Sequence, residues 1–320
     1  MTNDTKKFNY LAQSASTSSL FWDLRQIVEQ TRHRVAQKVN SELTMMYWHI
    51  GERINREVLE NQRAEYGKQI VATVARQLQE DFGMKGFDEK NIRRMMQFAQ
   101  LFPDKQIVAP LARQLSWSHF LIVIPLKDEL QREFYLTMAA SENWSKRMLQ
   151  KEIDGMLFER MAIAGKPDEL IKKELSSLRN DNVLSPDLVF KSPYFLEFTG
   201  LTGMYSEKTL EDSLVAHLEQ FIVELGTGFS FVARQKRMII DGEDFYLDLL
   251  FYHRRLHRLI AIDLKLGRFK AQYKGQMELY LRWLEQNEME PGEDTPFGLV
   301  ALHGRRRGTT RIVTTRQGRH

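Results

Sequence analysis

Phe245-Tyr-Leu-Asp248-Leu-Leu-Phe-Tyr252, followed after a short polar connection by Leu259-Ile-Ala-Ile-Asp263-Leu-Lys265-Leu266, is the stretch on which the fold turns. Both runs have the apolar and aromatic composition of strands, apart from one aspartate in each and the lysine that ends the second. An ionised carboxylate on a buried strand face costs several kcal/mol unless it is paired, hydrogen-bonded or bound to a metal. The connection, His253 to Arg258, has hairpin length. A turn centred between Arg255 and Leu256 sets Asp248 directly opposite Asp263, with Cβ atoms about 4.5–5.5 Å apart on one face, where like charges repel. Side chains alternate along a strand, so Lys265 projects from the same face as Asp263. Two carboxylates and one ammonium therefore converge from adjacent strands.

Three readings fit that trio. Lys265 can neutralise one aspartate in a buried ion-pair network. The oxygen donors can instead hold a hard cation, Mg²⁺ or Mn²⁺, which keeps waters and binds phosphates, with Lys265 orienting or activating a water that attacks phosphorus. Paired carboxylates also serve glycoside hydrolysis, but that chemistry leaves Lys265 without a task. The chain has no cysteine, which excludes disulfide scaffolds, Cys-ligated zinc and thiol nucleophiles, so any metal must sit on oxygen or histidine.

Outward from the two strands, Glu207–Leu225 reads as one helix with a stripe of Leu214, Leu218, Phe221, Ile222 and Leu225, stopped by Gly226. Strand-like runs at Phe229–Met238, Phe245–Tyr252 and Leu259–Leu266 follow, then a helix from about Lys270 to Gln286. This is a mixed α/β unit with a meander at its centre. Upstream, the composition turns polar between Gly165 and Ser192, with Pro167, Pro186 and Pro193 as breakers, which marks a linker. Before it, Leu20 to Arg160 carries apolar residues three and four apart, the pattern of an all-helical domain. Asp88 reads as an N-cap after the Gly83–Gly86 turn, opening a helix through Ile92, Met95 and Met96. Lys90, Arg93 and Arg94 on that helix fit either a helix-turn-helix or winged-helix element or an ordinary solvated face. Trp117, in a later helical run, reads as core.

The 320 residues have room for two domains. The formal charge of +4 invites a nucleic-acid reading, but Ala301–His320 holds six arginines and no acid. Setting those aside leaves 40 basic against 42 acidic residues, so net charge does not argue for nucleic acid in the folded part. Met1–Ser19 is polar without an apolar core, and no run approaches the ~18 apolar residues of a membrane span. A soluble, cytoplasmic protein with no membrane association is expected.

At these residues the chain resembles the PD-(D/E)XK nuclease superfamily, whose core is a helix with an acid, a β-meander carrying Asp and then (Asp/Glu)-x-Lys, and a closing helix. Val223-Glu-Leu-Gly-Thr-Gly-Phe-Ser-Phe-Val-Ala-Arg-Gln235, Asp244-Phe-Tyr-Leu-Asp-Leu-Leu-Phe-Tyr-His-Arg-Arg255 and Ala261-Ile-Asp-Leu-Lys-Leu-Gly267 are similar to the YhcG-type nucleases. Leu115-Ser-Trp-Ser-His-Phe120 matches their helical domain. The resemblance, from about Leu20 to Leu299, implies Glu224, Asp248 and Asp263 as ligands of Mg²⁺ or Mn²⁺, and Lys265 as the signature lysine. It also implies Gln235 beside them, with Gln276 and Tyr280 as a Gln-xxx-Tyr element bordering the site.

The expected organisation is a disordered lead over 1–19, a helical domain over 20–164, a linker over 165–192, a nuclease domain over 193–300 and a basic tail over 301–320. The tail lacks a strand or helix period and reads as truncated or frame-altered relative to the family. The implied function is metal-dependent hydrolysis of DNA phosphodiesters in recombination, repair or restriction. DNA and other DNA-processing enzymes are the implied partners, with homo-oligomers through the helical domain. The alternative is a catalytically inactive DNA-binding or adaptor protein on a nuclease-like fold.

Overall fold

The computed structural model describes residues 4–60, 64–83, 86–192, 194–201, 205–303 and 309–315. The chain divides into two compact units, Met1–Gln150 and Lys151–His320. The helices α1 (Asp4–Glu60), α2 (Ala64–Phe82), α3 (Glu89–Leu101), α4 (Lys105–Ala112), α5 (Trp117–Val123), α6 (Glu129–Ser141) and α7 (Lys146–Asp154) come first. Next are α8 (Leu157–Arg160), α9 (Asp168–Asp181), β1 (Tyr194–Phe195), α10 (Glu207–Ala216) and α11 (Leu218–Leu225). The remaining elements are β2 (Phe229–Ile240), β3 (Glu243–His253), β4 (Arg258–Leu266), α12 (Ala271–Asn287), β5 (Phe297–His303) and β6 (Thr309–Thr315).

In the first unit, the Asp88 carboxylate accepts from the Asn91 amide at 3.0 Å and starts α3, as the sequence indicates. Ile92, Met95, Phe98 and Ala99 are its buried face. Trp117 packs edge-on against Phe98 at 5.3 Å and donates to Asn91 Oδ1, half-buried against the core that holds Ile92 and Met95. Among the described residues, no helix is long and apolar enough to cross a membrane.

The second unit is a six-stranded sheet in the order β1-β6-β5-β4-β3-β2. β2, β3 and β4 form the antiparallel meander, and β4 pairs in parallel with β5 across the α12 crossover. Parallel neighbours need such a crossover, which is why a helix follows β4. One face of the sheet, with Leu249, Phe251, Ile260, Ile262, Leu264 and Leu299, packs against α10 and α11. The other, with Leu247, Leu250, Ala261 and Val300, packs against Tyr273, Met277, Tyr280 and Leu281 of α12. The β3–β4 hairpin has the register the sequence predicts, from Leu249 opposite Ile262 to His253 opposite Arg258.

Several expectations need correction. The single helix over Glu207–Leu225 is broken at His217, whose Nδ1 bonds the Ser213 carbonyl at 2.9 Å and ends α10. The 165–192 segment holds α9, with Ile171, Leu175 and Leu178 buried, and Val189 and Phe190 join the core of the sheet domain. A segment that buries its own apolar stripe is not a linker. α1 begins at Asp4, so the 1–19 stretch is helical where described. The 301–320 stretch is not simply a tail, because Ala301–His303 completes β5 and 309–315 forms β6 between β5 and β1. Its Thr-Thr-Arg-Ile-Val-Thr-Thr sequence is β-branched, which suits a strand. Pro193, Arg305–Arg307, Arg316, Arg319 and the middle of the Gly83–Gly86 turn lie outside the described residues.

Candidate active site

The hairpin ladder stops at Leu249 and Ile262, and beyond that point side chains replace backbone pairing. The amide of Leu264 donates to Asp248 Oδ2 at 2.7 Å, so the aspartate holds the end of β4 where a backbone carbonyl otherwise would. Asp248 Oδ1 accepts from Gln235 Nε2 at 3.0 Å. Asp263 is 2% exposed. Lys265 Nζ lies 3.0 Å from both of its carboxylate oxygens and hydrogen-bonds Oδ1.

Burial, with the Asp248 carboxylate beside it, pushes Asp263 up to about 7 against the pull of Lys265. Burial alone would lower Lys265, but Asp263, then Asp248 and Glu207, hold it above the ordinary lysine range. The predicted ion pair is therefore present, yet a single ammonium does not satisfy two carboxylates.

The third acid comes from α10. Glu211 is 5% exposed, and its Oε2 accepts from Gln235 Nε2 at 2.7 Å, so one amide bridges Glu211 and Asp248. β2 slips register between Phe231 and Ala233, and two residues on Gln235 sits at φ 48°, in the left-handed region. A non-glycine residue held there is strained, and such strain clusters at functional sites. Arg234 Nε, on the same irregular segment, donates to Glu211 Oε1 at 2.6 Å. Glu207, one turn before Glu211, accepts from the Leu266 amide at 3.0 Å and has its other oxygen 3.9 Å from Lys265 Nζ. Asp248, Asp263, Glu207 and Glu211 thus stand around Lys265 and Arg234, an excess of negative charge.

Asp248, Asp263, Lys265 and Gln235 are brought together, and Gln276 and Tyr280 border them. Gln276 Nε2 donates to the Tyr280 hydroxyl, and burial raises the phenol, with the Asp263 charge adding to the shift. Glu224 is elsewhere. On α11 it forms an ion pair with Arg160, and Lys191 Nζ donates to its backbone carbonyl at 2.6 Å. The helix acid that contacts Gln235 beside Asp248 is Glu211. The signal was present in the sequence: Glu211 is an acid beside Leu210 and Leu214, on the buried side of the helix, the same anomaly that singles out the strand aspartates. In the other unit, Lys90 and Arg93 are exposed, Arg94 is half-buried, and Arg93 is paired with Glu89.

The donor set fits a hard cation. The buried Asp263 carboxylate lies next to Asp248, the two share Lys265 as their nearest ammonium, and their ligand atoms are oxygen. Among the described residues, no three acids or histidines are grouped so as to hold a metal ion, so the protein would supply at most two carboxylates to a cation here and water the rest.

Residues 187–314 match the YhcG PDDEXK nuclease domain, and residues 23–160 match the DUF1016 N-terminal domain. The chain is 30% identical over 304 residues to "Putative nuclease YhcG" of Escherichia coli (strain K12), covering 86% of this chain and 80% of that protein. No solved structure matches the chain significantly.

Proposed function

The chain belongs to the YhcG-type family of PD-(D/E)XK nucleases, and from that premise we propose that its C-terminal unit hydrolyses DNA phosphodiester bonds with Mg²⁺ or Mn²⁺. The observation that carries this reading is the convergence of the buried Asp263 carboxylate with Asp248 and Lys265, where one ammonium stands against two neighbouring acids. Asp248 and Asp263 would hold the cation, and Glu211, joined to Asp248 through Gln235, would orient Asp248 from behind. When bound, the cation supplies Lewis acidity, neutralising a phosphate oxygen and lowering the proton affinity of water. Lys265, fixed by Asp263, orients the attacking water and faces the charge that develops on phosphorus oxygens. Gln235 locks Asp248 and Glu211 together, and Gln276 and Tyr280 close the α12 side.

The reaction serves DNA recombination, repair or restriction in this reading. Lys90, Arg93 and Arg94 would give α3 a contact with the DNA backbone, and the helical unit would recruit other DNA-processing enzymes or further copies of the chain. The adaptor alternative drew on the missing strand pattern after Val300, and β5 and β6 remove that ground.

Plasmid and linear DNA incubated with the protein and Mg²⁺ or Mn²⁺ should be cut, and chelator should stop the reaction. Asp263→Ala and Lys265→Ala should be inactive. Cleavage by either variant at the parent rate overturns the site. Calorimetric titration with Mg²⁺ should give binding that Asp263→Ala removes.

A further inference from the structure

The loop that leaves the catalytic strand is cationic and carries an exposed aromatic ring. Gly267, at φ 90°, turns the chain out of β4, and Arg268, Phe269 and Lys270 are all exposed before α12 begins. Among the described residues, no carboxylate pairs with Arg268 or Lys270, and the first turn of α12 contains no acid. This contrasts with β2, where Arg234, Lys236 and Arg237 are each held by an acid.

Tyr273 ties the loop to the reacting groups. Lys265 Nζ lies 5.7 Å and Lys270 Nζ 5.9 Å from its ring centroid, and the Phe269 ring meets it at 6.3 Å, nearly perpendicular. Phe269 is 40% exposed although it sits next to a buried tyrosine. Two cations with no carboxylate partner among the described residues track a phosphate backbone, and an exposed ring beside them stacks an unpaired base, whatever its identity.

We propose that Arg268, Phe269 and Lys270 form a clamp for a DNA strand carrying an unpaired base next to the scissile phosphate, so that the preferred substrate is single-stranded or frayed. The assignment rests on the nuclease reading above and adds the substrate class. A duplex with all bases stacked would engage the two cations but not the ring.

The test uses the full chain, with chelator, and fluorescence anisotropy on a labelled single-stranded 20-mer and its duplex. Phe269→Ala should weaken single-strand binding about tenfold and duplex binding less than twofold, with Phe269→Trp restoring it. Arg268→Gln and Lys270→Gln should weaken both ligands and each lower the single-strand salt slope by about 0.7. Unchanged melting temperatures for these exposed positions would separate binding from folding. A Phe269→Ala variant that binds both ligands like the parent, or loses both equally, overturns the clamp. If the parent still cuts DNA with Mg²⁺ in that case, the nuclease reading stands without it. If the parent neither binds nor cuts DNA, both fall.

Discussion

The two ends of the β3–β4 pair bury ionisable groups in opposite ways. At the hairpin end, His253 is 1% exposed, and burial holds it far below the ordinary histidine range, at about 4. Its Nδ1 accepts from the Leu256 amide at 3.1 Å, so it serves the turn as a neutral group. At the other end, Asp263 is nearly as buried, but it keeps an ammonium against its carboxylate and a second acid, Asp248, beside it. The hairpin end uses burial to discard charge, whereas the site end gathers charge that its surroundings only partly satisfy. Substitutions at the first should therefore cost stability, and those at the second should cost activity.

The largest effect expected is at the site end, where Asp263→Ala or Lys265→Ala should lower DNA cleavage on the order of 10³-fold in a single-turnover assay. A finer cut compares the two helix acids. Glu211→Gln should slow cleavage about 10- to 100-fold, because Gln235 loses a charged partner and Asp248 its orientation. Glu224→Gln should leave cleavage within about twofold and instead cost about 2–3 kcal/mol in urea unfolding, because the negative charge in a largely buried ion pair with Arg160 is removed. Equal activity losses in the two variants would break the contrast.

At the hairpin end the expected signature is a pH slope. A histidine with a lowered native pKa binds fewer protons folded than unfolded between pH 4 and 6.5, so its contribution is full above 6.5 and lost on acidification through that window. The loss should reach up to about 3 kcal/mol, and His253→Asn, which keeps an acceptor for Leu256, should flatten it. Asp263 tilts the other way. Its raised pKa makes the folded state bind more protons between about 4 and 7, so that contribution is lost as pH rises through the window in metal-free buffer. The smallest effect is at the exposed ion pair beside the turn, where Asp294→Asn should change stability by less than about 1 kcal/mol and activity not at all.

What was legible in the sequence follows from how local the cause is. The β3–β4 register could be read because the turn is short and the two aspartates interrupt apolar runs, so one hairpin accounts for both. The Asp88 cap and the buried stripe of α3 lie within one helix and were read directly. Glu211 escapes a reading of the helix by its apolar members, and the resemblance points instead to Glu224, the glutamate of Glu-Leu-Gly226. The partner of Glu224 is Arg160, 64 positions away, and no periodicity links them. β6 was hidden by its arginine-rich approach, although its own threonines, isoleucine and valine have strand character. α9 was obscured by the prolines around it, one of which caps it.

The irregularity in β2 that turns Gln235 inward has an effect beyond the site. β2 is the outermost strand on its side of the sheet and is twelve residues long, with Phe231, Val232 and Ile239 exposed along it. A straight edge of that length and composition would be a template for strands of other molecules. The slipped register and the left-handed residue interrupt its row of free amides and carbonyls. The distortion that aims an amide at two carboxylates thus also guards the protein against self-templated aggregation.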